Sequence, residues 1–167
     1  MAAALAADAA GVPLDSIRET LYEFEGIEHR LEFTAEKDGV KYINDSKATT
    51  VESTACALQS FKEPLVLIAG GKDKGSDFTK LNGLIENHVK AVVLIGTAAE
   101  NIEAAWQGIK PLHKTDTLKD AVDTAERLAE KGDAVLLSPA CASFDMFKDF
   151  EDRGRQFKEL VLTRTNR

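Results

Sequence analysis

Cysteine is scarce in this chain, with only Cys56 and Cys141 present. A small secreted domain stapled by disulfides carries more. Both lie in Ala/Leu-rich surroundings, so buried free thiols in a reducing cytoplasm are expected. Long apolar runs are also missing. None approaches the roughly 20 residues of a membrane helix, so no membrane partner is expected. The opening "MAAALAADAAG" lacks the basic leader of a signal peptide, and Asp8 interrupts it. An Ala-rich helix ending at Gly11 is the better reading. Positive charge is in deficit, with a formal net charge of −7. That argues against general nucleic-acid binding, but not against a small anion held by a local cluster of Lys and Arg. There is no internal repeat and no low-complexity tract.

Several motifs are missing too. Without G-x-G-x-x-G, a nicotinamide oxidoreductase is poorly supported, and without G-x-S-x-G so is a hydrolase serine. In "GGKDKGSDF" (70–78), Gly70 and Gly75 have the spacing of a phosphate loop, but Ser76 stands where its lysine belongs. What remains is a turn presenting Lys72 and Lys74. His29, His88 and His113 have no metal-ligand spacing with either cysteine, so no metal site is expected.

What is present is 167 residues, 44% of them apolar, enough for one packed domain and a short extra piece. "VPLDSIRETLYEFEG" reads as a second helix, capped by Asp15 or Ser16, with Ile17, Leu21 and Phe24 on one apolar face. "RLEFTAEKDGVKYIND" reads as a hairpin. Leu31 and Phe33 alternate on its first strand, "KDG" turns, and Val40, Tyr42 and Ile43 return. A helix over 47–60 follows. Then "PLVLIAGG", "AVVLIG" and "DAVLLSPA" read as buried parallel strands, alternating with helices near 78–87, 98–107 and 117–131. A short strand falls near 110–114. A last helix from 146 carries Phe147, Phe150, Phe157 and Leu160. The class is α/β: Rossmann-like, a mostly parallel sheet of about six strands flanked by helices, with an N-terminal β-hairpin. One boundary is expected near Gly26.

Open α/β sheets bind ligands beyond the carboxyl ends of their strands. Here those ends read "NDSKATT", "GGKDKGSDF", "GTAAE" and "SPACASFD". Three of the four carry groups suited to anions or polar ligands. Asn44, Asp45, Ser46 and Lys47 are more polar handles than a turn requires. Ser143 and Asp145 are also candidate helix caps. Arg30, beside His29, is able to hold a phosphate bidentately.

"HRLE" (29–32), "GVKYINDSKAT" (39–49), "GGKDKGSDF" (70–78) and "LLSPACASFDMFKDFEDRG" (136–154) occur in this order. Together they resemble the C-terminal domain of the Mur ligases of peptidoglycan synthesis, in the branch that adds D-glutamate. The resemblance covers residues 27–167. Residues 1–26 resemble the last helices and linker of that family's central ATP-binding domain. The family usually has Asn after "NDSKAT", where this chain has Thr50.

The resemblance implies a cytoplasmic, monomeric, three-domain enzyme using ATP and Mg2+. ATP phosphorylates the carboxylate of UDP-N-acetylmuramoyl-L-alanine, and the amine of D-glutamate attacks the acyl phosphate. The phosphate loop and metal ligands belong to domains absent from this chain, so the chain alone is expected to be inactive and to hold no catalytic residue. It also implies that Thr49, Lys74, Ser143 and Phe150 hold D-glutamate, while His29, Arg30, Asp45 and Lys47 face the nucleotide. A standalone Rossmann-like module binding a nucleotide or an acidic metabolite is the alternative.

Overall fold

A computed structural model describes residues 2–24 and 26–165. Two helices, α1 (Ala2–Ala9) and α2 (Leu14–Glu23), lead into the hairpin β1 (Glu32–Lys37) and β2 (Val40–Asn44). Its turn places Asp38 at φ 54° and Gly39 at φ 78°, the left-handed pair that a two-residue hairpin favours. Then come α3 (Val51–Gln59), β3 (Leu65–Gly70), a 3-10 turn (Phe78–Leu81), α4 (Asn82–His88) and β4 (Val89–Ile95). The chain ends with α5 (Ala99–Trp106), β5 (Leu112–Lys114), α6 (Leu118–Leu128), β6 (Ala134–Leu137) and α7 (Phe150–Thr165).

The six strands form one sheet in the order β1-β2-β6-β3-β4-β5. Only β1 runs antiparallel. Every residue of β3 and β6 is buried, as their unbroken apolar runs require. Side chains alternate between two cores. Leu65, Leu67, Val92, Leu94 and Leu136 face Leu58, Ile85, Ile102 and Trp106 on one side. Val66, Ile68, Val93 and Val135 face Val122, Phe157 and Val161 on the other. Trp106 satisfies its indole by donating to the Phe78 carbonyl at 3.0 Å. The inward face of α6 is the expected one, through Leu118, Ala121, Val122 and Ala125, with Leu128 packed beside it.

Several local expectations are corrected. α3 starts at Val51 rather than at 47, because Thr50 stays extended and its hydroxyl accepts from the Ser53 amide. α7 starts at Phe150 rather than at 146. Residues 143–149 are turns, with Asp149 accepting from the Asp152 amide as the helix opens. α2 follows Pro13, with no side-chain cap from Asp15 or Ser16. Its expected apolar face is not buried among the described residues: Ile17 is half-buried, and Leu21 and Phe24 are exposed. On β1, a register shift between Phe33 and Ala35 turns Phe33 outward and puts Ala35 in the core. The expectation for α2 also included Glu25, which lies outside the described residues.

Candidate functional site

The four strand-end loops of β2, β3, β4 and β6 gather at one edge of the sheet and are knitted together. After β3, Gly71 lies at φ 134°, and a side chain there would collide with the Ala142 carbonyl. This glycine therefore serves close packing of two loops, not the cradling of phosphate. Lys72 and Ala142 exchange backbone hydrogen bonds of 2.8 and 3.2 Å across that contact. Thr97, after β4, donates through its hydroxyl to the Gly71 carbonyl and through its amide to Asp145. Asp145 thus ties two loops rather than capping a helix. At the base of the β2 and β6 loops, the Ser138 hydroxyl donates to Asp45 at 2.8 Å.

The residues of "NDSKATT" divide by role. Asn44 is fully buried, and its amide donates to His29 Nδ1 at 2.9 Å and Glu32 Oε2 at 3.1 Å. The Ser46 hydroxyl donates to the Phe150 carbonyl at 2.8 Å. These two side chains therefore build the loop. Asp45 is nearly buried and accepts from the Leu31 amide as well as from Ser138. Burial raises its carboxyl to about 6, against those hydrogen bonds and the nearby charge of Arg30. Lys47 is exposed, and its ammonium lies 5.0 Å from the centre of the Phe150 ring.

Several cavities open along this edge, among them one of about 330 Å³ lined by Thr49, Lys72, Lys74, Lys80 and Cys141, and two that gather the expected site residues. One, of about 220 Å³, is lined by Arg30, Leu31, Asp45, Lys47, Ser53 and Cys56, among others. The other, of about 150 Å³, is lined by Thr49, Lys74, Ala142, Ser143, Phe144 and Phe150. So Thr49, Lys74, Ser143 and Phe150 converge on one cavity, while Arg30, Asp45 and Lys47 converge on the other. His29 lines neither. Its ring is buried against Asn44 and edge-on to Phe150, with centroids 6.2 Å apart. A side chain at Gly154 would strike that ring, so α7 approaches it closely only because this position is glycine. The His29 carbonyl accepts from the Lys47 amide, which is its link to the cavity.

Cys56 is exposed, contrary to expectation, while Cys141 is buried. The inward positions of α3 are Val51, Thr54, Ala57 and Leu58, and Cys56 falls off that stripe. Among the described residues, one group, Glu28, His29 and Glu32, has ligand atoms close enough to share a metal ion. The Lys158 ammonium already bridges its two carboxylates, at 3.0 Å from Glu28 and 2.5 Å from Glu32, and serves there as the cation.

Sequence reasoning missed Arg153. It is fully buried, and its guanidinium donates to Ser46 and to the Cys141 carbonyl. Burial lowers its pKa to about 10. Within "FEDRG" it reads as a surface charge on a polar turn of helix, and only the close approach at Gly154 hints that this face points inward.

The chain is 50% identical over 164 residues to the UDP-N-acetylmuramoylalanine–D-glutamate ligase of Salinibacter ruber, spanning 98% of this chain and 36% of that protein. It is 52% identical over 161 residues to the ligase of the same name from Koribacter versatilis, spanning 96% of this chain and 35% of that one. The chain thus spans about a third of the length of the curated relatives it matches. Among solved structures, E. coli FolC in complex with ADP superposes with a TM-score of 0.62 at 16% identity, over 92% of this chain and 36% of that one. A UDP-N-acetylmuramoylalanyl-D-glutamyl-2,6-diaminopimelate–D-alanyl-D-alanyl ligase from Acinetobacter baumannii gives 0.57 at 21% identity, over 93% and 34% of the two chains. Those two likenesses carry the fold. The family model described as "Mur ligase, glutamate ligase domain" matches residues 29–141, and the chain belongs to that family.

Proposed function

We propose that this chain is the part of an ATP-dependent, amide-forming ligase that presents D-glutamate to activated UDP-N-acetylmuramoyl-L-alanine. One observation carries the reading: Lys74, Thr49, Ser143 and Phe150 line a single cavity, adjacent to one lined by Arg30, Asp45 and Lys47. D-Glutamate brings two carboxylates. Lys74 supplies a cation for them, and the hydroxyls of Thr49 and Ser143 supply donors. Phe150 bounds the pocket, and the charge of Lys47 rests on its outer face. Held by its carboxylates, the amino acid keeps its amine free for attack on an acyl carbon.

The second cavity fits a nucleotide by its donor set. Arg30 and Lys47 are exposed cations that oppose phosphate charge, and Asp45 is an acceptor for a hydroxyl. ATP, when bound, supplies the phosphoryl group that activates the substrate carboxylate. A magnesium ion accompanies those phosphates. Among the described residues Asp45 is the one carboxylate lining this cavity, and it already serves Ser138 and Leu31, so the main metal ligands belong outside this chain. In this reading residues 27–167 form the amino-acid-presenting domain, monomeric and cytoplasmic, and residues 1–26 belong with the ATP-binding domain. The chain alone then forms no amide bond. Relatives that share half their residues with it and carry the D-glutamate ligase name support the reading.

Isotope-edited NMR of the chain, titrated with D- and L-glutamate, tests it. The amides of Thr49, Lys74 and Ser143 should move at lower concentration with the D-isomer. An equal response to both isomers, or none, would sink the assignment.

A further inference from the structure

We propose that Arg153 is a positioning residue that locks the tips of the two substrate loops together, so that filling the amino-acid cavity is felt in the nucleotide cavity. The ligand identities rest on the reading above.

Arg153 projects from α7 into the interior, with its side chain fully buried. Its Nε donates to the Ser46 hydroxyl at 2.9 Å, and one terminal nitrogen donates to the Ser46 carbonyl at 2.8 Å. Both terminal nitrogens reach the Cys141 carbonyl, at 3.2 and 3.3 Å. Ser46 sits between Asp45 and Lys47 of the nucleotide cavity, three residues before Thr49 of the other. Cys141 lies two residues before Ser143. One planar group thus grips both loops at once, and the Ser46 hydroxyl passes the grip on to the Phe150 carbonyl.

The bases of these loops are already tied by Asp45 and Ser138. Arg153 adds a second tie one residue further along the first loop, at Ser46, and three residues further along the second, at Cys141. Among the described residues, no carboxylate forms an ion pair with it. Filling the space would not call for a cation, because an apolar side chain of similar length avoids the desolvation cost. The fork of donors is what the position uses: a lysine keeps the charge but presents a single nitrogen.

The test compares the wild-type chain with R153K and S46A by NMR. Amide exchange should rise about tenfold or more in R153K at both Ala48 and Ala142, reflecting lost charge-assisted hydrogen bonds, while Leu67 and Val93 in the sheet stay protected. A response in one loop only, or in neither, overturns the clamp. D-Glutamate added to the wild type should shift Lys74 and Ser143 and, with them, Lys47 and Ser53 across the divide. In R153K the first pair should still move and the second should not. Cross-cavity shifts that persist in R153K overturn the coupling. If the wild type shows no shift at Lys74 and Ser143, the D-glutamate reading fails, and the exchange data alone decide the clamp. Should R153K not fold, S46A removes the Nε acceptor and should loosen both loops more mildly; unchanged exchange in both overturns the proposal.

Discussion

Ser138 and Asp45 meet in the interior, with the serine hydroxyl donating to the carboxylate across 2.8 Å. They come from the ends of neighbouring parallel strands, β6 and β2. The pair aims the carboxylate that lines the cavity beside Arg30 and Lys47, and fixes how far the two loops stand apart.

Asp45 should also leave a mark on stability. Burial holds its carboxyl at about 6, above the ordinary 3.8 of an aspartate. Between those values the native state binds a proton that the unfolded chain has released. The contribution of Asp45 therefore falls as pH rises from about 4 to about 6. Relative to Asp45→Asn, the wild type should lose about 2–3 kcal/mol between about pH 4 and about pH 7. Urea unfolding at several pH values measures the difference, and parallel curves for the two proteins would contradict it.

Lys74 lines the cavity proposed to hold the amino acid. In a full-length ligase carrying this domain, Lys74→Ala should raise the KM for D-glutamate about ten- to a hundredfold and that for ATP far less, as expected for one lost charge-assisted contact. Steady-state kinetics with each substrate varied in turn would show this. An unchanged KM for D-glutamate counts against the assignment.

Thr50, which stands where the resemblance leads one to expect Asn, is the N-cap of α3. Asparagine caps at least as well as threonine, so the swap preserves the local chemistry. Thr50→Asn should change stability by less than about 0.5 kcal/mol, and Thr50→Ala should cost about 1 kcal/mol. Thermal melts of the three proteins settle the order.

The two thiols should react very differently. Cys56 is exposed and lines the cavity beside Arg30, Asp45 and Lys47. Cys141 is buried, and burial pushes its thiol up to about 12. A maleimide at neutral pH should label Cys56 alone in the native chain, and Cys141 only after denaturation. Mass spectrometry of the labelled peptides reads this out. Rapid native labelling of Cys141 would mean that the 140–143 loop opens readily.

The central strands were legible because continuous apolar runs of strand length leave few other readings, as in "LVLIAG" and "AVLL". The edges were less so. Phe33 faces solvent because of a bulge that no alternation pattern encodes, and Leu21 and Phe24 stay exposed on α2 and just after it. Helix starts slipped by about four residues at both α3 and α7, since candidate caps stand close together and tertiary contacts choose among them. The residues of each cavity were named on a family resemblance, and the fold brings seven of the eight to cavity walls. His29 and Arg153 were opaque for the same reason. Gly154 meets His29 from the far end of the chain, and Arg153 reaches Ser46 and Cys141 in other loops, 107 and 12 residues away, so the glycine beside Arg153 is the one local hint that these polar groups are buried.

The strand order carries a consequence for the order of assembly. β6 lies between β2 and β3, yet it follows them both in the chain by more than sixty residues. During synthesis the β1–β2 hairpin has no central partner until residues 134–137 emerge, while β3 and β4 pair early. The binding edge is therefore the slow, long-range part of the fold. Its loops take shape only when β6 slots in and α7 docks, so a ribosome stalled before that point would display a sheet in two halves and no site.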